Sequence, residues 1–364
     1  MGVDAEYRQL VSNWPDRRFL ELVEVKHPII QAPMANAGGV ELAIAAIDGG
    51  ALGSLACGTL SPGQVREQTD EIRKRAKGPV NLNFLCHAMP EKADDSEWRA
   101  LLKPYYDQFG IKPSAAGPLR LPFDDSACSV VEMLKPEVVS FHYGLPAMPL
   151  LDRVRATGAV ILSSATTVAE ALWLAERGVD AVIAQGFEAG GHSARFLGSS
   201  STEAIGLASL LPQISDAISL PVIAAGGISD SRGIAAAFAL GASAVQIGTA
   251  YLLTPESLVA PQFKDLIPDR PTMMTNLYSG GLARAPRGRL IEELGPVRAE
   301  APPFPLASDA VMPLWVEAQR RGEWDFLLPL AGQSAALAER LPAAQLTHKL
   351  AADTLEIMAN RTDA

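Results

Sequence analysis

Two adjacent glycines precede a histidine at Gly190-Gly191-His192, at the end of a segment that reads Gln-Gly-Phe-Glu-Ala-Gly-Gly-His over residues 185–192. Glycines let the backbone approach a ligand closely, and histidine is the side chain most easily poised as a general base near neutral pH. A lone histidine is often a surface residue, but the glycines and the preceding apolar run favour a functional role. We therefore predict that His192 is a catalytic base and that Glu188 is a solvated or structural acid.

A second pattern combines glycine with hydroxyl residues near the ends of two apolar runs. Gly226-Gly227 follows residues 221–225 and stands just before Asp230, which could cap the next helix. Gly248-Thr249 lies in the last run, residues 244–250. Backbone amides, a helix N-terminus and a hydroxyl together bind phosphate. The alternative is that these glycines only form tight turns; the pattern favours a phosphate cradle.

The other histidines and the acidic residues indicate no metal centre. His142 ends an apolar run and is either a buried, hydrogen-bonded core residue or a substrate contact. No two histidines have the spacing of metal ligands, and no carboxylate cluster accompanies them. The chain also has no G-x-S-x-G or P-loop motif, which argues against an α/β-hydrolase or an NTPase.

The elements that must position these residues alternate between short apolar runs and amphipathic segments. Eight such runs are typical of strands buried on both faces; they cover residues 28–34, 51–57, 80–86, 138–143, 159–164, 181–186, 221–225 and 244–250. Eight strands with helices between them predict an α/β protein of the (β/α)8 TIM barrel class, whose functional residues lie at the carboxyl ends of the strands. An open doubly wound sheet is the alternative, but no G-x-G occurs in the chain, which disfavours it.

Two regions do not fit the repeat and predict a smaller cap over one mouth of the barrel. The connection 87–136 is too long and too rich in Pro and Asp for a simple crossover, and the chain continues well beyond the eighth run with further helices, such as 309–321 and 335–352. We predict a barrel over residues 20–260, interrupted by the insertion 87–136, and a C-terminal segment 261–364 that completes the cap and the substrate side.

Composition limits the partners and the compartment. The chain has 364 residues, with 31 Lys and Arg against 41 Asp and Glu, so its net charge is −10. Such a surface repels nucleic acid and anionic membranes. Three cysteines without a CxxC pair are typical of a reducing compartment, and no apolar run approaches the ~20 residues that cross a bilayer. We predict a soluble, cytoplasmic protein, and the oligomeric state stays open.

The motif at 185–192 strongly resembles the nitronate monooxygenase family, formerly called 2-nitropropane dioxygenases. Similar family segments are found in order along the chain, at Gln31-Ala32-Pro33-Met34, Asn81-Leu82-Asn83-Phe84, Ser140-Phe141-His142-Tyr143-Gly144-Leu145-Pro146, Ala224-Ala225-Gly226-Gly227-Ile228, Gln246-Ile247-Gly248-Thr249 and Ala331-Gly332-Gln333-Ser334. The resemblance implies a TIM barrel that binds FMN without a covalent bond, and an oxidation of nitronates by O2 to a carbonyl compound and nitrite.

The resemblance also implies roles for individual residues. The expected cofactor-binding residues are Pro33, Met34, Asn83, Gln185, Gly190, Gly226, Gly227, Gln246, Ile247, Gly248 and Thr249. His192 occupies the position of the family's catalytic base, which removes the α-proton of a neutral nitroalkane; with a nitronate it could instead orient or neutralise the anion. His142 and Tyr143 are candidate substrate contacts. The flavin supplies one-electron chemistry that side chains cannot.

One departure from the family and one competing function stay open at this point. The family usually has a further glycine two residues after the histidine, whereas this chain has Ser193-Ala194-Arg195; Arg195 either pairs with an anionic substrate or faces solvent. The same barrel also looks like FMN-dependent NAD(P)H reductases of the quinone or enoyl-acyl-carrier-protein type, and a flavin-binding protein without catalysis is a third possibility. The segment 141–146 favours the monooxygenase.

Overall fold

The computed structural model describes residues 13–90, 94–112, 119–198 and 203–362. Its main sheet contains eight parallel strands: β1 Ile29–Gln31, β2 Gly53–Ala56, β3 Val80–Leu85, β4 Val138–His142, β5 Val160–Ala165, β6 Ala181–Gln185, β8 Val222–Ala225 and β9 Ala244–Ile247. A second, antiparallel sheet contains β7 Gly191–His192, β10 Thr272–Thr275 and β11 Ala283–Pro286. Each of the eight predicted apolar runs overlaps one strand of the parallel sheet, and only β5 extends beyond its run, by one residue.

The parallel sheet closes into a barrel. Its strands follow the order β1-β9-β8-β6-β5-β4-β3-β2, and β1 meets β2 through the parallel bridge between Ile30 and Leu52. The Leu52 amide donates to the Ile29 carbonyl, and the Gln31 amide donates to the Leu52 carbonyl, each at 2.9 Å. The predicted (β/α)8 barrel is therefore confirmed, because an open doubly wound sheet would leave these two edge strands unpaired.

Helices surround the barrel and lie beyond it. In chain order they are α1 Arg18–Val23, α2 Val40–Asp48, α3 Pro62–Arg75, α4 Ser96–Phe109, α5 Asp125–Leu134, α6 Met148–Ala156, α7 Val168–Glu176, α8 Leu207–Ala217, α9 Ser231–Ala239, α10 Thr249–Leu252, α11 Pro261–Leu266, α12 Arg289–Leu294, α13 Ser308–Arg320 and α14 Ala343–Thr362.

Local sequence explains where the barrel helices begin. Ser61 starts α3 with a capping box, since its hydroxyl accepts the Gln64 amide while the Gln64 side chain accepts the Ser61 amide. Asp230 caps α9 as predicted, because its carboxylate accepts the Gly233 amide at 3.0 Å. These caps set the points at which the chain leaves the carboxyl end of a strand and turns back along the barrel.

The cap has a hydrophobic core of its own, distinct from that of the barrel. Trp98 and Phe109 of α4 are buried together with Val311 and Leu314 of α13 and with Phe326. Helix α5 instead packs against α3 and α6 in the ring around the barrel, and α14 packs between α2 and α9. The chain therefore builds the cap between β9 and α14, adds α4 from the β3–β4 connection, and returns to the barrel with its last helix.

The boundaries of the C-terminal helix differ from the prediction. Residues 335–352 read as one helix, but Ala335–Leu337 forms a single 3-10 turn and α14 begins only at Ala343. Pro342 explains the break, because the residue before a proline is disfavoured in helical conformation. Within the described residues, no helix is long and apolar enough to span a membrane.

Candidate active site

A cavity of about 380 Å³ lies between the carboxyl ends of the barrel strands and the cap. Its wall contains every predicted site residue except one, namely Pro33, Met34, Asn83, His142, Tyr143, Gln185, Gly190, His192, Gly226, Gly227, Gln246, Gly248 and Thr249. Ile247 is the exception, since its side chain is fully buried in the barrel core. Residues from all eight barrel strands or from the loops that follow them thus face one cavity.

On the side of β8 and β9 the wall consists largely of backbone. Gly227 has a φ of +69°, a conformation that glycine adopts without strain, and a Cβ at this position would come within 3.2 Å of the Glu188 Cβ. Gly332 of the cap closes the same side, where its amide donates to the Thr249 hydroxyl at 2.9 Å. The glycines predicted to form the phosphate cradle therefore leave main chain exposed to the cavity on this side.

Two amides point from the strands into this cavity with different hydrogen bonding. The Asn83 amide donates to the Ser140 hydroxyl at 3.0 Å, which fixes its orientation. The Gln246 carbonyl oxygen is buried and has no hydrogen-bond partner in the structure. An unpaired buried oxygen is costly, so Gln246 is ready to accept a hydrogen bond from a bound ligand.

His192 lies on the short strand β7, which the cap holds in place. β7 pairs with β11, with His192 opposite Ala283, and the His192 Nε2 lies 2.6 Å from the Ser279 Oγ. The Phe304 ring packs edge-on against the imidazole at a centroid distance of 5.1 Å. The preceding Gly190 is required by packing, because a Cβ there would come within 2.5 Å of the Ala331 carbonyl carbon.

Gln185 and His142 converge on the backbone of His192. The Gln185 Nε2 donates to the His192 carbonyl at 3.0 Å, while the Gln185 Oε1 accepts the Ala194 amide at 2.6 Å. The His142 Nε2 lies 3.2 Å from the same His192 carbonyl. A carbonyl can only accept, so His142 carries its proton on Nε2. Both side chains line the cavity and also fix the main chain that carries the imidazole.

A buried carboxylate holds the loop that follows. Glu170 is fully buried, and its Oε1 accepts the amides of Phe196 and Leu197 at 2.7 and 2.9 Å. Its Oε2 accepts the Thr166 amide and hydroxyl. Since four donors satisfy this carboxylate, Glu170 anchors the loop after His192 to the start of α7.

The cavity keeps both of its buried histidines neutral. Desolvation, the positive charge of Arg120, and the nearby His142 and His87 together hold the pKa of His192 well below its usual range. Burial lowers the pKa of His142 to about 4, although its hydrogen bond to the His192 carbonyl opposes this shift. At neutral pH His192 is therefore an uncharged imidazole that can accept a proton.

Tyr143 has a strained backbone at the edge of this group. Its φ is +68°, which is uncommon for a residue other than glycine and is concentrated at functional sites. Its ring contacts Phe304 and His142, and burial raises the pKa of its phenol. Tyr143 therefore stays protonated and can donate a hydrogen bond into the cavity.

Arg195 and Glu188, the two charged residues near the 185–192 motif, both have partners within the protein. Arg195 forms an ion pair with Glu203 at 2.8 Å and lines a smaller neighbouring cavity of about 250 Å³. Glu188 accepts the Leu207 amide at 2.9 Å with both oxygens at the start of α8. Glu188 is thus the structural acid that the sequence predicted, and the charge of Arg195 is compensated by a carboxylate.

Sequence reasoning missed the residues that the cap and the insertion bring to the cavity. Arg120 lies in the proline-rich part of the β3–β4 connection, and Phe304 has no motif around it. Ser279 precedes the pair Gly280-Gly281, a signal similar to the one that identified His192. No group of three metal-ligating side chains occurs in the part of the chain that the structure describes.

Comparisons with known proteins agree with this arrangement. A family model described as nitronate monooxygenase matches residues 17–353. A protein of Paraburkholderia phytofirmans named nitronate monooxygenase is 37% identical over 344 residues, which cover 92% of this chain and 94% of the relative.

Among solved structures, nitroalkane oxidase from Streptomyces ansochromogenes superposes with a TM-score of 0.87 at 33% identity and covers 94% of this chain and 99% of its own. FabK from Thermotoga maritima superposes less closely, with a TM-score of 0.72 at 27% identity, over 95% of this chain and 98% of its own.

Proposed function

We propose, from the premise that this chain belongs to the nitronate monooxygenase family, that it is an FMN-dependent oxidoreductase. Its substrates are alkyl nitronates and nitroalkanes, which it oxidises with O2 to a carbonyl compound and nitrite. The observation that carries the proposal is a neutral imidazole, His192, fixed at the wall of a cavity that also contains the glycines after β8 and β9.

The residues of the cavity fit FMN on two observations. The Gln246 oxygen, unpaired among the described residues, needs a hydrogen-bond donor, and Gly227 and Gly248 leave the cavity wall beside it without side chains. Gly226, Gly227 and the segment 246–249 would hold the phosphate, whereas the remaining predicted contacts would line the ring: Pro33, Met34, Asn83, Gln185 and Gly190. When bound, the flavin would supply the one-electron redox chemistry that no side chain offers.

His192 is the residue we assign to proton removal. For a neutral nitroalkane, a ring nitrogen of His192 accepts the α-proton, and the electron pair of the broken C–H bond moves onto the nitro group to form the nitronate. The Ser279 hydroxyl can either donate or accept, so it stays bonded to the Nε2 before and after this transfer. For a nitronate supplied as such, no proton is removed and His192 only contacts the anion.

Oxygen consumption by the purified protein tests the proposal. Ethylnitronate should produce rapid O2 uptake and nitrite without NADH, and the protein as purified should be yellow or should become so after addition of FMN. A colourless protein that cannot be reconstituted with FMN would exclude every flavin-dependent function. Bleaching of the flavin by NADH, together with no uptake on ethylnitronate, would assign the protein to the competing reductase function.

The partners we propose are therefore small molecules, a nitronate or nitroalkane and O2, and we propose no nucleic acid or membrane partner. A cytoplasmic location is part of this proposal. It is supported by the three cysteines, Cys57, Cys86 and Cys128, which are all unpaired thiols.

A further inference from the structure

Arg120 is the one residue with a permanent charge among those that line the main cavity in the described part of the chain. No Asp, Glu or Lys lines it, although the protein has a net charge of −10. Arg120 forms no ion pair with the described residues, in contrast to Arg195, which pairs with Glu203. Burial lowers the pKa of its guanidinium, and Tyr143 opposes this shift.

The position of Arg120 separates it from the predicted phosphate cradle. The groups that respond to its charge are Tyr143, His87 and His192. Tyr143 and His87 follow β4 and β3, and in the strand order of the barrel these strands stand opposite β9 and β8. Gly227 and Gly248 follow β8 and β9, so the charge of Arg120 is placed across the barrel mouth from them, on the side of the imidazole.

We propose that Arg120 is a specificity-determining residue that forms a subsite for the anionic nitronate group and selects it over the neutral nitroalkane. This inference rests on the proposed function. A partly buried guanidinium that has no ion pair among the described residues favours an anionic ligand, and its planar fork matches an anion with two oxygens on one atom. A neutral nitro group with the same carbon skeleton gains much less from the same contact.

The charge of Arg120 also lowers the pKa of His192. The groups that face the imidazole are Arg120, His142, His87, the Ser279 hydroxyl and the Phe304 ring. A cation favours the neutral imidazole, and an anion bound at Arg120 removes this effect. The two residues therefore have separate roles: Arg120 binds the anion, and His192 stays uncharged until it accepts a proton.

The test compares Arg120→Gln, Arg120→Lys and a control, Arg66→Gln, which removes the same charge from an exposed position on α3. Ethylnitronate and nitroethane form a matched pair of anion and conjugate acid. We expect Arg120→Gln to raise KM for ethylnitronate by about 10- to 100-fold, as for the loss of a charge-assisted hydrogen bond. KM for nitroethane should change less than threefold. Arg120→Lys should lie between Arg120→Gln and the wild type, because an ammonium keeps the charge but lacks the planar fork, and Arg66→Gln should stay close to wild type. Equal losses on both substrates, or weaker FMN binding with an unchanged KM, would overturn the assignment.

A second measurement does not depend on turnover. The His192 ring resonances, followed by NMR, should shift when nitrate, a planar unreactive anion, is added to the wild-type holoprotein and to Arg120→Lys. They should not shift with Arg120→Gln, in which the pKa of His192 should also rise. If the wild type oxidises neither substrate but nitrate still binds through Arg120, the proposed function fails and the anion subsite stands. If nitrate perturbs Arg120→Gln as it does the wild type, the subsite is refuted.

Discussion

On the side of β8 and β9 the cavity wall is mostly main chain, whereas on the side of β3, β4 and β6 it consists of side chains. Gly227 and Gly248 define the first side, and each is positioned by its own strand and the turn that follows. His142, Tyr143 and His192 define the second, and His192 is positioned by Gln185, by β11 and by Ser279 of the cap.

This difference separates binding from chemistry. A surface of backbone and glycines has no titratable group, so the anion binding that we propose for it depends on no protonation state of the protein. The side-chain surface contains neutral imidazoles whose charge state depends on Arg120 and on burial. Substitutions on the first side should therefore change cofactor affinity, and substitutions on the second should change the rate.

The largest effect is expected from His192→Asn, which removes the base and keeps a side chain of similar polarity. The rate on nitroethane should fall by about 100-fold or more, since general base catalysis contributes on that scale. Activity on ethylnitronate should fall far less, and FMN should remain bound. Steady-state oxygen consumption with both substrates checks this, and equal activity of the variant on both would exclude His192 as the base.

Gly227→Val tests the opposite side of the comparison. A β-branched residue at a φ of +69° is strained. Its Cβ would also lie 3.2 Å from the Glu188 Cβ, so the turn that carries the surface we assign to the phosphate must shift. The strain itself costs about 1–3 kcal/mol of stability whether or not FMN is bound. The shift of the turn should weaken FMN binding by about tenfold or more, which corresponds to about 1.4 kcal/mol. The measurement is a titration of FMN fluorescence against the apoprotein.

Gly227→Ala provides the matched control, because it adds only the Cβ. Its FMN affinity should lie between those of the wild type and Gly227→Val, and thermal unfolding of each apoprotein separates a local effect from loss of the fold. An unchanged FMN affinity in Gly227→Val would refute the cradle.

The same contrast explains what could be predicted from sequence. Gly226-Gly227 and Gly248-Thr249 were recognisable because a strand end and its turn lie within a few residues of each other. The eight strands were recognisable for the same reason. Arg120, Ser279 and Phe304 reach His192 only through the packing of the cap, and no local pattern encodes that packing. Ile247 was grouped with its neighbours by motif, but the alternation along a strand turns its side chain into the core.

Gln185→Leu should reduce the rate less than His192→Asn does. Gln185 is one of the predicted cofactor contacts, and it also fixes the main chain of His192. The substitution leaves the Ala194 amide without its partner and the His192 carbonyl with only His142. An unsatisfied buried amide costs about 1–3 kcal/mol, so we expect lower stability and a rate reduced by about tenfold on both substrates. Gln213→Leu, at an exposed position of α8, is the control for loss of an amide. A normal rate with much weaker FMN binding would instead place Gln185 mainly on the cofactor side.

The smallest effect is a change in stability with pH that we expect from His27, a histidine outside the cavity wall. This change is absent at neutral pH. Burial first, and then the charges of His348 and Lys26, lower the pKa of His27 to about 4. Its Nδ1 has no hydrogen-bond partner among the residues that the structure describes. In the unfolded chain the pKa is about 6.5, so the unfolded state binds more protons between these values. The free energy of unfolding must therefore decrease as the pH falls from about 6.5 to about 4. Between pH 7 and pH 5 His27 alone accounts for about 2 kcal/mol of this decrease, and His142 contributes over the same window because its pKa is also about 4.

Denaturant unfolding of the wild type and His27→Gln at pH 7, 6 and 5 measures the difference in slope. A shallower slope in the variant, with an unchanged rate on ethylnitronate at pH 7, would show that His27 affects stability and not the chemistry of the cavity. If both proteins lose stability in parallel, His27 is protonated in the folded state and its neutral burial is refuted.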